Sequence, residues 1–513
     1  MENQGIIDKI KSIYIIKDIF NYIKDNKIEL KLFIYSKHFQ NKLNIKYIEA
    51  KEKYLKNIGF NINEYLYIEE KKYEKNILNK RYNKFILENK INKKLFEDLI
   101  YENKQIKEIN KENETYINID SPLFEIISKL SHFEKNYTIY ISQKNINEYN
   151  LKNEYINLFD KLNKSNIKYI SIFYYSNDNE IKYFKQLNID YNKIIKFKLK
   201  DFYGMENLKF FEYIIFKELK ELNLCNNKIT DIEALKNVKF EKLEKLNLRW
   251  NNISNNINIL EYVNFKELKQ LTLYKNKISD IEVLKKVRFE KLEILDLGYN
   301  NISNTNILKY VNFKELKELN LCNNTISDIE VLKNVKFEKL EKLNLIWNNI
   351  SNINILEFVN FKKLKELNLY KNKISDIEVF KKVKFEKLEI LDLGKNNISN
   401  NINILEYANF KVLKELNICN NRISDIEVLK KVKFEKLEKL NLGSNNISNI
   451  NILEYVNFKE LKELNLYYNN ISDIEVLKKV KFEKLQNLNL KKNNLNQNSS
   501  IINYLKSKFD LYI

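Results

Sequence analysis

The chain has 513 residues, a net charge of +20 at pH 7, 44% hydrophobic residues and 31% charged ones. A core is within reach, but one proline (Pro122) and six glycines exclude long Gly/Pro linkers. The excess of cations is shared between the first 200 residues and the rest, which excludes a concentrated basic arm.

Other absences narrow the function further. Charges interrupt the opening MENQGIIDKI, so no signal peptide is expected, and no run of 18 apolar residues suggests a membrane span. Three cysteines without a pairing pattern suit a reducing, intracellular setting, and the expected location is cytoplasmic, with the nucleus an alternative. His38 and His132 are the only histidines, so a histidine metal site is not expected. There is no phosphate-binding glycine loop, no nucleophile elbow and no H-E-x-x-H, and the expectation is a non-enzymatic protein without cofactor or metal.

Residues 5 to about 115 read as helical, with Ile6, Ile10, Ile13, Ile16, Ile19, Phe20 and Ile23 at helical spacing. Leu30, Leu32, Phe33, Phe39 and Leu43 continue the apolar set. Within this stretch, residues 13–43 (IYIIKDIFNYIKDNKIELKLFIYSKHFQNKL) resemble an F-box, which implies docking to a Skp1-like subunit of a ubiquitin ligase. Gly59 is placed at a helix end, and Ser121-Pro122 at a helix start. From residue 137 the period changes: Ile139-Tyr140-Ile141 alternates like a strand. Ile167, Ile170 and Ile172, then Ile194, Phe197 and Leu199, repeat one spacing at a distance of 27 residues.

That spacing becomes regular at residue 216. The stretch FKELKELNLCNNKI (216–229) has the core Leu219-x-x-Leu222-x-Leu224-x-x-Asn227-x-Ile229. It returns, at steps of 24 or 25 residues, with asparagines at 227, 251, 276, 300, 324, 348, 372, 396, 421, 445, 469 and 493. Pattern and period resemble the leucine-rich-repeat family, and the Ile-x-x-Ile-x-x-Leu spacing resembles its SDS22-like subclass. The resemblance implies an α/β solenoid, a horseshoe with a parallel concave sheet, preceded by a mainly helical region. The expected organisation is a helical region (1–120), degenerate repeats forming a cap (121–215), twelve repeats (216–495) and a C-terminal cap (496–513). In the last, Ile501, Ile502 and Leu505 suggest a helix.

Each leucine set points inward from a short strand and the intervening residues point out. The asparagine turns inward and can satisfy main-chain groups of adjacent coils, a structural role. A phenylalanine three residues before each first leucine, from Phe216 to Phe482, predicts a stacked aromatic spine. The residue after the first leucine alternates Lys220, Glu244, Lys269, Glu293 and onward, so opposite charges face each other along the sheet. Ser279 and Glu282 have capping-box spacing and predict a short helix on the convex side.

The two residues before each ladder asparagine vary most. They follow a four-repeat cycle of Cys-Asn, x-Trp, Tyr-Lys and Gly-x, with Cys225, Cys322 and Cys419 at equal spacing. Successive cysteines are four strands, about 19 Å, apart, too far to pair, since a disulfide needs Cα atoms within about 7 Å. Aromatic and Arg side chains on a polar concave face are typical interface anchors. The candidate partner-binding residues are therefore Arg249, Trp250, Tyr274, Tyr299, Trp347, Tyr370, Tyr467 and Tyr468. Acids and bases are mixed over the outward columns, so nucleic acid is not expected there. The expected function is a protein–protein interaction scaffold, with an F-box substrate adaptor as the alternative.

Overall fold

The computed structural model describes residues 190–200, 206–496 and 500–513, together with the strands Thr115–Asn118, Tyr137–Ile141 and Tyr169–Phe173. The chain divides into two compact units, Met1–Ile167 and Lys168–Ile513. The F-box-like segment 13–43, Gly59, both histidines and the helix start at Ser121-Pro122 lie outside the described residues. In the first unit, Thr115–Asn118 pairs in parallel with Tyr137–Ile141, the strand read from its alternation. Thr115–Asn118 is a strand at the end of the region expected to be mainly helical. Its Thr-Tyr-Ile run carries β-branched and aromatic side chains that suit a pleated surface.

The second unit is a stack of coils. Each repeat contributes a strand of three residues, such as Glu221–Asn223, Lys245–Asn247 and Gln270–Thr272. The strands pair in parallel and in chain order from Tyr169–Phe173 to Asp510–Tyr512. Leucine faces leucine at every step within the repeats, as in Leu222 opposite Leu246 and Leu343 opposite Leu367. The first coils lack the ladder asparagine but keep the apolar spacing: Ile194, Phe197 and Leu199 are buried.

Burial follows the leucine pattern. Leu219, Leu222 and Leu224 and their equivalents are fully buried, while the residues between them face out. The phenylalanine ladder is buried at every copy. Neighbouring rings stack at 6.0 Å for Phe240 and Phe265, 6.3 Å for Phe410 and Phe434, and 6.4 Å for Phe458 and Phe482.

The asparagine ladder ties each coil to the one before it. The Asn348 amide donates to the carbonyls of Leu345 (3.1 Å) in its own coil and Leu321 (3.0 Å) in the preceding one. Its Oδ1 accepts the Ile326 N–H at 3.0 Å. Buried groups that no strand pairing reaches are thereby satisfied.

The side opposite the strands differs from expectation in its detail. Each coil returns through a 3-10 turn rather than an α-helix, for example Glu282–Lys285 and Asn354–Phe358. Its leading N–H is held by an aspartate or asparagine two residues earlier and not by the serine of a capping box. Glu282 N–H donates to Asp280 Oδ1 at 2.8 Å, and Asn354 N–H to Asn352 Oδ1 at 2.9 Å. With only one turn to close, the shorter two-residue loop from Asx leaves no N3 position for Ser279 to reach. The two 25-residue steps put their extra residue on this side, where the turns lengthen to Ser254–Glu261 and Asn400–Tyr407. The strand side stays in register. After the last repeat, the helix Ser500–Lys508 buries Ile501, Ile502 and Leu505, and the strand Asp510–Tyr512 pairs with Asn487–Asn489.

Candidate functional site

The strand face carries three kinds of outward column, and only one is left uncommitted. The first is the alternating charge column, which pairs as expected: Glu244 lies 3.1 Å from Lys220 and 2.7 Å from Lys269, and Lys365 lies 2.7 Å from Glu341. The lysine hydrogen bonds hold the Glu244 and Glu341 carboxyls below their ordinary range. A second charge column runs beside it, with Lys245 3.2 Å from Glu221 and Lys342 3.2 Å from Glu366.

The column between the second and third leucines forms turns. Asn223 Oδ1 accepts the Cys225 N–H at 3.0 Å, and Asn344, Asn368 and Asn465 do the same for the residue two further on. Asp296 and Asp392 replace the asparagine in two coils and accept from the Gly298 and Gly394 N–H groups. Burial raises both carboxyls above their ordinary value, against the opposing pull of these N–H bonds.

Beyond the strand lies the rim that holds the candidate residues. The position just before every ladder asparagine has a positive φ, from 52° at Lys395 to 60° at Trp250. This left-handed residue turns the chain so that the asparagine can point inward, and its side chain is thrown outward. The backbone there is still tied to the next coil: Trp250 N–H donates to Tyr274 O at 2.9 Å, and Trp347 N–H to Tyr370 O at 2.8 Å. The position is filled by Asn, Trp, Lys, Tyr and Ser, never by a β-branched residue.

The structure brings the predicted residues together in three groups. In the first, Arg249 lies over the Tyr274 ring (4.4 Å to its centroid), and Tyr274 and Tyr299 have centroids 5.4 Å apart. Lys275 caps the Trp250 ring at 3.7 Å. In the second, four coils on, Lys371 caps Trp347 at 3.0 Å, and Tyr370 lies in the coil of Lys371. The third is Tyr467 beside Tyr468, 5.9 Å apart. Trp250 is 43% exposed and Trp347 47%. Tyr274 and Tyr370 are half-buried, because each lies over the glycine of the next coil. A Cβ on Gly298 would sit 2.9 Å from Tyr274 Cδ2 and 2.8 Å from Cys322 Sγ, and one on Gly394 2.8 Å from Tyr370 Cδ2. The four-repeat cycle is thus a packing unit in which tyrosine, glycine and cysteine fit one another. Burial pushes the Cys322 and Cys419 thiols up, with Asp296 and Asp392 adding to it, so both stay protonated. Among the described residues no cluster of His, Cys, Asp and Glu could hold a metal ion.

Sequence reading by column sums missed the segregation of charge on this rim. The two positions before each ladder asparagine and the one after it contain no carboxylate in any repeat. They hold Lys228, Arg249, Lys275, Lys277, Lys371, Lys373, Lys395, Arg422, Lys491 and Lys492, and from Arg249 onward none of these side chains forms an ion pair among the described residues. The acids counted against them sit in the neighbouring columns, tied to lysines or to turn N–H groups. A second missed feature is a row of exposed aromatics at the ends of alternate 3-10 turns: Tyr262, Tyr310, Phe358, Tyr407 and Tyr455. Its signal in the sequence is the two-repeat recurrence of N-I-L-E-Y and its variants.

A leucine-rich-repeat family model in two copies matches residues 411–455, and a single-repeat model matches 241–257 and 290–305. No curated protein matches the chain. Among solved structures, an internalin (InlF) of Listeria monocytogenes is 30% identical, with 59% of this chain and 81% of that one covered and a TM-score of 0.49. A leucine-rich-repeat protein of Leptospira interrogans is 22% identical over 75% of this chain and 91% of that one, with a TM-score of 0.59. A TLR13–ssRNA13 complex is 18% identical over 78% and 64%, with a TM-score of 0.53. The repeated consensus, the parallel one-strand-per-coil stack and the repeat-family matches together make the chain a leucine-rich-repeat protein.

Proposed function

We propose that the protein is a non-enzymatic interaction scaffold that binds a protein partner through the strand (concave) face of its repeats. One observation carries this reading: Trp250 and Trp347, with their neighbouring tyrosines, stand exposed on a rim whose backbone is fixed by the sheet. Large aromatic side chains on a rigid support give contact area at little entropic cost. The other outward columns are committed to ion-pair ladders and turns, so they tie coil to coil and leave recognition to the rim. The reading places the protein inside the cell; among the described residues no helix is long and apolar enough to cross a membrane.

The test is affinity capture from source-organism extract with mass spectrometry, comparing the full chain with a Trp250→Ala/Trp347→Ala variant. Loss of the same partners in the variant is the expected result, and unchanged capture would refute binding through this face. The F-box resemblance of 13–43 supports a second reading, an adaptor of a ubiquitin ligase. A chain lacking residues 1–50 would then lose a Skp1-like subunit and keep its other partners, and full-length capture without such a subunit rejects the adaptor.

A further inference from the structure

The partner's chemistry can be read from the rim, if the strand face is the binding face as proposed above. Its cations do not run evenly. Lys275 and Lys277 flank one ladder asparagine, and Lys371 and Lys373 flank another four coils later. At about 4.8 Å per strand the two pairs are about 19 Å apart. The coils at Cys322 and Trp347 between them place no charge on the rim. Beside each pair stands an exposed tryptophan, and in the free protein a lysine of the pair lies on its ring.

We infer that the rim takes an extended acidic polypeptide segment with two carboxylate clusters about 19 Å apart, separated by a neutral, partly apolar stretch. An extended chain rises about 3.3 Å per residue, so the clusters are about six residues apart. On binding, Lys275 and Lys371 leave the tryptophan rings for carboxylates, and apolar side chains of the partner take their place on the indoles. A single-stranded nucleic acid fits less well. Its backbone carries one charge per nucleotide without gaps, whereas the three coils between Lys277 and Lys371 place no cation on the rim.

The test uses the full chain and fluorescein-labelled octapeptides read by anisotropy at about 0.15 M salt, where long-range attraction is screened. One peptide has Glu-Glu, four neutral residues including a tyrosine, and Glu-Glu. A second has the same composition with all four glutamates together, and a single-stranded oligothymidylate of equal charge is the third probe. The spaced peptide is expected to bind at least tenfold tighter than the contiguous one, to change tryptophan emission, and to lose at least tenfold with Lys275→Gln/Lys371→Gln. Lys384→Gln/Lys433→Gln, exposed and off the rim, should change its affinity less than twofold. Equal losses in both variants, no preference for spacing, or tighter binding of the oligothymidylate would each overturn the proposal. The capture experiment keeps the two claims apart. If the tryptophan variant loses partners while the peptides fail, binding by this face stands and the acidic partner falls.

Discussion

At the scale of the residue, the exceptions within the ladders are the informative positions. Asp296 and Asp392 stand where every other coil but that of Thr272 has asparagine, and burial raises their carboxyls above the ordinary value of 3.8. A carboxyl that holds its proton more tightly folded than unfolded contributes stability below pH about 3.8. That contribution is lost as the pH rises through the folded value. At neutral pH both therefore cost stability. Asp296→Asn/Asp392→Asn keeps the acceptor for the Gly298 and Gly394 N–H groups. It should raise the melting temperature at pH 7 and flatten the decline above pH 3.8. A melting curve unchanged or lowered at pH 7 would contradict this. Gly298 is an exception of shape. Gly298→Ala drives a Cβ against Tyr274 and Cys322, and should cost about 1–3 kcal/mol by overpacking. Pairing it with Tyr274→Ala should recover part of that loss in a double-mutant cycle. The glycines in the four-repeat cycle were plain in the sequence, but their purpose was not. Glycine is absent from the left-handed position one residue later, where backbone strain alone would have put it. At Gly298 and Gly394 it stands where a neighbouring tyrosine ring needs the space.

At the scale of the element, one coil is held by leucines, one phenylalanine and one asparagine. Phe361 is buried in mid-array, and Phe361→Ala should cost about 3–5 kcal/mol. Asn348→Ala removes four hydrogen bonds and leaves the Ile326 N–H without its acceptor, at about 2–4 kcal/mol. The two losses should differ in kind. The phenylalanine variant leaves a cavity, which a denaturation midpoint reports. The asparagine variant opens the turn, which speeds amide exchange at Ile326 before the neighbouring strands exchange. Equal exchange at Ile326 and at Leu343 would show that the asparagine does not act locally. The leucine, phenylalanine and asparagine ladders were legible in the sequence, because each rests on a single spacing repeated many times. The 3-10 turns were read as short helices, since Ser-x-x-Glu spacing is shared by both. The aspartate two residues before the glutamate decides between them by closing a tighter loop.

At the scale of the whole molecule, each coil is stabilised mainly by its neighbours, so the ends limit the stack. The C-terminal end is closed by Ser500–Lys508 and by Asp510–Tyr512 on the last sheet edge. Deleting residues 496–513 exposes Leu488 and Leu490, buried in the full chain, together with an unpaired edge. Hydrogen exchange should then lose protection progressively over 445–495 and leave 270–345 unchanged. Uniform loss across the array would mean that the stack unfolds as one unit. The same one-dimensional build places the basic rim. Any side chain one residue before the ladder asparagine takes the same place in its coil, so the four-repeat cycle sets Trp250 and Trp347, and likewise Lys275 and Lys371, four coils apart.

The sequence by itself determined the coil. Period, leucine spacing and the two ladders follow from which side chains must be buried and which amide must meet a buried carbonyl. Those are local requirements that every repeat states again. It also determined where variation is allowed, and hence which aromatics stand on the candidate face. Only the tertiary structure decided how those variable residues relate. Ion pairs between coils neutralise the acids that a column sum sets against the rim's lysines, and a tyrosine from one coil occupies the space above a glycine of the next. Both are contacts between residues about 24 positions apart, fixed by strand register and by the left-handed turn. A linear pattern carries no record of either.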